Sequence, residues 1–487
     1  MKCIKCKERS DIKFQNPFVI VICGASGDLA RKKVIPAVFS LYCQGCLPDD
    51  FIIAGFGRSD LNDKSFRELI VQNLTCRYTP EHSCSERMQE FLARCYYVQG
   101  FYNSPDSFLD LYMRLKELTA SSVQNIIFYL AVTPDVYVDI SRSLAAAGLN
   151  TCSPADREPW MRIVVEKPFG YDRASSDKLA EALSLVFSED QIFRIDHYLG
   201  KEVVQDLMVL RFANTVLEPI WNRHYVSSVD IIWKEKAGIE ARGSYFDNYG
   251  IIRDVIQNHL LQLVALIGME EPASIAASDV NRAKIALLKA IAPVQIEDVI
   301  LGQYTASEAN GVKRLGYRDE ANVRPNSKTP TFASCVLNIG NDRWDGIPFR
   351  ILAGKALDEN IAKITICFRV NPGNIFCGVG QCPATNNLTI IIQPDPSINL
   401  YITHKEPGQA IKLVESPLDL QYVAGFNKQI PEAYERLILD VIGNNRTFFI
   451  STAELAASWD VLTPLLKEIE AKDIQPCGYP FGASVVE

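Results

Sequence analysis

The sequence predicts an α/β domain over residues 1–195 on a parallel sheet, followed by a larger α+β domain over residues 196–487 with a mostly antiparallel sheet. Three observations carry this. Apolar runs alternate with amphipathic stretches as far as Val186, the pattern of repeated βαβ units. Beyond the Phe193–Asp196 region strand-like segments dominate. A chain of 487 residues that is 48% hydrophobic can also fill two cores.

Phe18 to Cys23 reads FVIVIC, continuous enough for a strand buried on both faces. Gly24-Ala-Ser-Gly27-Asp-Leu-Ala30 follows, then a helix from Ala30 to Tyr42. A second strand covers Phe51 to Gly55 and runs into Gly57-Arg58-Ser59. Helices are expected over Phe66–Leu74, with Ser65 as cap, and over Ser85–Cys95. Ser104 and Pro105 mark the start of another, reaching Leu118. Gln124–Ala131 and Trp160–Val165 read as strands, Val136–Ala147 and Ser175–Val186 as helices. The second domain is expected to hold helices over Glu202–Phe212, Gly250–Gly268 and Asn281–Ala290. Its strands are expected over Ser227–Glu235, Thr331–Leu337, Phe349–Ala353, Lys363–Phe368, Leu388–Gln393 and Asn399–His404. Helices Ala433–Ile442 and Thr452–Glu470 close the chain.

A net charge of −8 argues against a general nucleic-acid surface, which needs clustered positive charge. No apolar run reaches membrane-spanning length, and the first residues show no apolar signal core, so a cytoplasmic location is expected. The 14 cysteines suit a reducing compartment. Cys3/Cys6 and Cys43/Cys46 form two Cys-x-x-Cys pairs, but the second ends the first helix, so no metal site is expected.

Gly24-x-x-Gly27 lies between strand and helix, where glycine permits a tight turn and lets a diphosphate approach the helix N-terminus. Asp28 is a cap candidate, and Arg31, Lys32 and Lys33 stand in the first turns. At the end of the second strand Arg58 replaces the acid usual in NAD sites and suits a 2′-phosphate, with Ser59 as a neutral donor. NADP is therefore the expected cofactor. Ala131 after the third strand and Lys167, in Glu166-Lys-Pro168 after the fourth, should line the same crevice.

Arg194-Ile-Asp-His-Tyr-Leu-Gly-Lys-Glu202 concentrates chemically active groups. If a helix starts near Asp196, His197 and Lys201 lie four apart on one face. Two neighbouring cations call for an anion such as phosphate. The alternative is Asp196 as a helix cap followed by surface charges. On the helix from Gly250, His259 falls within the apolar face, with Asp254 and Asn258 on a more polar neighbouring face. Such a histidine is either a satisfied core residue or a base awaiting a partner. Asp196 is the best candidate to orient it and favour its protonated form.

These motifs resemble the glucose-6-phosphate dehydrogenase family. The resemblance runs from Gly24-Ala-Ser-Gly-Asp-Leu-Ala30 through Glu166-Lys-Pro-Phe-Gly170, the phrase from Arg194 to Glu202, Gly250-Ile-Ile-Arg-Asp254, Gln257-Asn-His259 and Arg343-Trp-Asp-Gly346. It extends to Pro431-Glu-Ala-Tyr-Glu-Arg-Leu-Ile-Leu-Asp440 and covers roughly residues 17–482. It implies a Rossmann-like NADP-binding domain, with Gly24, Ser26, Gly27, Asp28, Leu29, Arg58, Ala131 and Lys167 at the cofactor, and a substrate-binding, oligomerising second domain. It implies oxidation of D-glucose 6-phosphate at C1 to 6-phospho-D-glucono-1,5-lactone, the first step of the oxidative pentose phosphate pathway. His259 would be the base and Asp196 its orienter. His197, Tyr198 and Lys201 would bind the phosphate, and Lys167, Glu235, Asp254 and Lys355 the sugar hydroxyls. A homodimer or homotetramer is the implied assembly. A silent nucleotide-binding homologue and a dehydrogenase of another phosphorylated sugar are the alternatives. Asn360 and Ile391 stand where related chains often have basic residues, which argues against a second, structural NADP.

Overall fold

The computed structural model describes residues 14, 16–78, 81–119, 125–150, 159–309, 311–370, 373–422, 425, 429–484 and 486. They form two compact units, 1–170 with 174–200 and 431–452, and 171–173 with 201–430 and 453–487. Where the sequence suggests one cut after residue 195, the units exchange short segments.

The first unit is built on a six-stranded sheet in the order β3-β2-β1-β4-β5-β6. Its strands are β1 (Phe18–Cys23), β2 (Phe51–Gly57), β3 (Cys95–Gln99), β4 (Asn125–Leu130), β5 (Met161–Glu166) and β6 (Ile192–Ile195). All five pairings are parallel. β1 and β5 are buried along their whole length, as continuous apolar runs covered on both faces require. β3 and β6 are absent from the sequence reading, and Cys95 opens a strand instead of ending a helix.

The helices of this unit follow their caps. Ser104 accepts from Ser107 N–H at 3.2 Å and starts the helix Pro105–Leu118 as expected. The helix expected from Phe66 runs instead over Asp63–Val71. Asn62 caps it, and Ser65 is the returning member of a capping box. The first helix opens with a π turn, Ala30–Val34, before α geometry over Ile35–Gln44.

The helix Ala433–Ile442 belongs with this unit for a polar reason as well as an apolar one. Leu437, Ile438, Val441 and Ile442 enter its core. The buried Arg162 guanidinium donates to the carbonyls of Val441 and Ile442, each at 2.7 Å, satisfying acceptors that the helix end leaves over.

The second unit carries a nine-stranded sheet in the order β16-β15-β14-β13-β7-β12-β11-β8-β17. Its strands are β7 (Val226–Lys234), β8 (Val299–Thr305), β11 (Phe332–Leu337), β12 (Phe349–Gly354), β13 (Ile361–Phe368), β14 (Asn387–Gln393), β15 (Ser397–Lys405), β16 (Leu413–Gln421) and β17 (Cys477–Pro480). β9 (Ser307–Ala309) and β10 (Val312–Arg314) form a separate pair. Only β12 with β7 and β17 with β8 are parallel, so the mostly antiparallel sheet expected from the sequence is found. In β13 burial alternates residue by residue, the pattern of a sheet with one covered face. Helices Glu202–Phe212, Ala277–Ala290 and Thr452–Ala471 match expectation closely.

The cysteines are not all free thiols, as a reducing compartment would suggest. Cys76 is bonded to Cys84, and Cys377 to Cys382. Cys43 is half-buried and Cys46 buried at the end of the first helix; Cys3 and Cys6 lie outside the described residues. Among the described residues no helix is long and apolar enough to cross a membrane.

Lys284 and Glu454 meet at 2.7 Å with both side chains 0% exposed, and the ammonium also donates to Gln262 Oε1 at 3.1 Å. Removing one partner strands a charge, whereas replacing both with apolar groups does not. Glu454→Ala is expected to destabilise the protein by about 3 kcal/mol in urea unfolding, and Lys284→Met with Glu454→Leu to recover most of that loss.

Candidate active site

The first unit holds the nucleotide end. Gly24 has φ +84°, and a Cβ there would lie 2.5 Å from the Ala131 carbonyl oxygen, so the position excludes a side chain. Gly24 N–H donates to Phe56 O at 2.8 Å and Ala131 N–H to Cys23 O at 2.9 Å, joining the ends of β1, β2 and β4. Gly27 N–H returns to Gly24 O at 2.9 Å and closes the turn. The Ser26 and Ser59 hydroxyls bond at 2.8 Å, so Ser59 braces the turn while Arg58 beside it is exposed.

Asp28 does not cap the helix. Its carboxylate takes Arg31 at 2.7 Å and Lys32 at 2.9 Å, and these cations hold its pKa below the usual carboxylate range. Leu29 packs against the core. A bare turn kept open by Gly24 and Gly27, next to a helix start and Arg58, fits a dinucleotide with a 2′-phosphate. Gly24, Ser26, Gly27, Asp28, Leu29, Arg58 and Ala131 are the residues that would hold it.

Lys167 follows β5 and precedes a cis proline. Beside it, Glu166 is buried, and Tyr129 donates to its Oε1 at 2.6 Å. Burial lifts the Glu166 pKa to about 7 against the pull of the Tyr129 and Tyr434 hydroxyls and the Lys167 charge.

Asp196 lies past β6, is 2% exposed, and accepts from Tyr198 N–H at 2.9 Å. That local bond shapes a short 3₁₀ turn, His197–Gly200. The α-helix starts only at Glu202, with Lys201 extended at φ −76°, ψ 135°. The idea that His197 and Lys201 share one helical face is therefore wrong. His197 instead lies nearly parallel to the Tyr434 ring at 6.4 Å, and Tyr198 is buried.

The second unit holds the remaining candidates. Lys201 Nζ donates to Gln393 Oε1 at 2.6 Å. Lys355 is 4% exposed, and its Nζ meets Glu235 Oε2 at 2.6 Å. The backbone of Lys355 is pinned on both sides: its N–H donates to Thr331 O at 3.0 Å and its carbonyl accepts from Tyr479 Oη at 2.7 Å.

The helix expected over Gly250–Gly268 is interrupted. Gly250 takes φ 66°, ψ 173°, and Ile252–Leu260 is a π segment before α geometry resumes at Leu261. His259 is 2% exposed, as its apolar setting predicted. The polar neighbouring face is not a solvent face, because Asp254, Gln257 and Asn258 are buried too. The Tyr245 hydroxyl reaches Asp254 Oδ1 at 3.5 Å, and Asn258 Oδ1 accepts the His259 N–H at 2.7 Å. π segments recur at functional sites, where they swing side chains out of the α register.

Sequence reasoning missed Gln393 at Lys201, Tyr129 and Tyr434 around Glu166, and Tyr245 at Asp254. Gln393, Tyr129 and Tyr434 come from elements remote in sequence, so no local spacing announces them; Tyr245 is nine residues from Asp254, but the break at Gly250 hides the pairing from helical periodicity.

The chain matches the family model "Glucose-6-phosphate dehydrogenase, NAD binding domain" over residues 21–206 and the corresponding C-terminal domain model over residues 208–485. It is 45% identical to the chloroplastic glucose-6-phosphate 1-dehydrogenase of Spinacia oleracea, across 97% of this chain and 82% of that one. It is 40% identical to the Caenorhabditis elegans enzyme, across 99% and 92%. A solved glucose-6-phosphate dehydrogenase in complex with its substrate glucose 6-phosphate superposes with a TM-score of 0.90 at 39% identity, over 98% of this chain and 96% of that one. The chain therefore belongs to the glucose-6-phosphate dehydrogenase family.

Proposed function

We infer that the protein is a glucose-6-phosphate 1-dehydrogenase. It oxidises D-glucose 6-phosphate at C1 to 6-phospho-D-glucono-1,5-lactone with NADP, the first step of the oxidative pentose phosphate pathway. The observation that carries this is whole-chain likeness, at a TM-score of 0.90, to a relative solved with glucose 6-phosphate.

In the proposed mechanism His259 takes the proton of the 1-hydroxyl, and Asp196 orients the imidazole and stabilises its growing charge. Both are nearly inaccessible to water, which strengthens their electrostatics. His197, Tyr198 and Lys201 bind the 6-phosphate; Lys201 is pre-aimed by Gln393. Lys167, Glu235, Asp254 and Lys355 hold the sugar hydroxyls, the Lys355–Glu235 pair offering a donor and an acceptor side by side. NADP, when bound, supplies the nicotinamide C4 that accepts the hydride leaving C1. Arg58 faces the 2′-phosphate in this reading, supported by its exposure beside the glycine turn.

We further propose a homodimer or homotetramer through the large sheet. Its edge strand β16 exposes Leu418 (58%) and Leu420 (39%), apolar surface suited to a second copy. Cytoplasmic residence is proposed with it; relatives are named both chloroplastic and cytoplasmic.

His259→Ala should lower kcat by about 10²- to 10⁴-fold with little change in substrate Kd. A near-normal kcat would reject His259 as base. Lys201→Ala is expected to weaken glucose 6-phosphate binding at least about tenfold while leaving NADP affinity unchanged; titration calorimetry with each ligand decides. Arg58→Ala should raise the KM for NADP far more than that for NAD, and equal losses in the nicotinamide absorbance assay would remove Arg58 from the 2′-phosphate.

A further inference from the structure

Three consecutive carbonyls at the end of β2 are held from the β3 side. Gly57 O accepts Gly100 N–H at 2.9 Å, continuing the pairing of Gly57 with Gln99. Arg58 O is reached by Gln99 Nε2 at 3.4 Å, and Ser59 O accepts the Tyr97 hydroxyl at 3.1 Å. Past Gly57 the strand pairing ends, and side chains of β3 take over as donors to the backbone.

Tyr97 is itself fixed before its hydroxyl is placed. Its N–H donates to Asp63 Oδ1 at 2.8 Å, at the start of the helix Asp63–Val71. Its ring packs on Phe66, with centroids 5.3 Å apart, and the residue is buried. A Cβ on Gly57 would stand 3.2 Å from the Tyr102 hydroxyl and 3.4 Å from that of Tyr97, so both phenols press on the backbone just before Arg58. Just after it, the Ser59 hydroxyl bonds to Ser26 of the glycine turn at 2.8 Å. Arg58 is exposed between two residues whose backbone has little freedom.

We propose that Tyr97 and Gln99 are positioning residues for cofactor selectivity. By holding the Ser59 and Arg58 carbonyls they aim the Arg58 guanidinium at the 2′-phosphate of NADP. This rests on the reading of Arg58 as the ligand of that phosphate. A guanidinium meets a phosphate through directed N–H bonds, so its value depends on aim as well as charge. NAD carries no phosphate there, and the aim of Arg58 matters to NADP alone. The diphosphate common to both cofactors meets the Gly24–Gly27 turn instead.

The test compares wild type, Tyr97→Phe, Gln99→Met, Arg58→Ala and the double variant Tyr97→Phe with Arg58→Ala. Tyr97→Phe keeps the ring on Phe66, and Ser59 O keeps the Leu61 N–H at 3.0 Å, so the fold survives loss of the hydroxyl. The readouts are Kd for adenosine 2′,5′-bisphosphate by titration calorimetry, KM and kcat with NADP and with NAD, and the urea midpoint. Tyr97→Phe should weaken bisphosphate binding and raise KM for NADP about three- to tenfold. KM for NAD should stay within about twofold, and kcat with either cofactor should hold. Gln99→Met should act in the same direction but less, because its bond is the longer one. Once Arg58 is alanine, Tyr97→Phe should change NADP binding no further, since the hydroxyl acts through that guanidinium. A merely structural hydroxyl would lower the urea midpoint and weaken NADP and NAD alike, with or without Arg58, and that result overturns the proposal. Equal losses for the two cofactors in Arg58→Ala itself would instead overturn the reading of Arg58 beneath it.

Discussion

The approach of Gly24 to the Ala131 carbonyl governs the nucleotide end of the first unit. With 2.5 Å between a would-be Cβ and that oxygen, only a bare backbone fits. The neighbouring bonds from Gly24 to Phe56 O and from Ala131 to Cys23 O then align the ends of three strands. The turn, Ser59 and Arg58 inherit their positions from this alignment. Side-chain chemistry at the cofactor is therefore secondary to a backbone constraint, and Ser26 with Ser59 refines it.

The second unit relies on a different constraint, the satisfaction of polar groups taken out of water. Asp254, Gln257, Asn258 and His259 are all buried on one π segment. Asn258 spends its carbonyl on the His259 N–H, and Gln257 donates to Ser458 at 3.1 Å. Wider π geometry leaves backbone N–H groups that side chains can serve, and it turns consecutive polar residues to different partners. Lys355 follows the same logic. Its backbone is pinned by Thr331 and Tyr479, its ammonium lies over the Trp233 and Phe246 rings, and Glu235 balances its charge. A charged group held this tightly is preorganised before any ligand arrives.

What the sequence made legible divides along the same line between local and non-local causes. Pro105 after Ser104, the run FVIVIC and the alternation in β13 declare themselves within a few residues, and the structure keeps them. The Asn62 cap was overlooked because Ser65, three residues on, belongs to the same capping box and carries an equally plausible hydroxyl. β3, β6, β8, β16 and β17 escaped because strands take their identity from neighbours far away in sequence, and β16 in addition is mostly exposed and carries Pro417. At the site, the burial of His259 was readable from apolar periodicity. The shared helical face for His197 and Lys201 failed because Asp196 spends its carboxylate on Tyr198 N–H and diverts the chain into a 3₁₀ turn. Fourteen cysteines read as free thiols, yet bonding between Cys76 and Cys84 depends on backbone proximity that residue counts do not contain.

Asn360, Ile391 and Asp206 each have a place of their own in the second unit. Asn360 Oδ1 accepts Lys236 N–H at 2.7 Å, tying the segment just after β7 to the segment just before β13. An arginine at that position would offer donors and no acceptor, so the Lys236 N–H would need another partner. Ile391 is paired with Lys363 across β14 and β13, where an arginine would put two cations opposite each other on adjacent strands. Asp206 receives the Tyr422 hydroxyl from the end of β16, fastening the helix Glu202–Phe212 to that edge of the sheet. Asp206 is therefore a structural acceptor. Asn360 and Asp206 thus each spend a side-chain oxygen on a partner inside the second unit, the one at a strand end and the other on the helix that follows Lys201, so both side chains are committed to the fold rather than left to solvent.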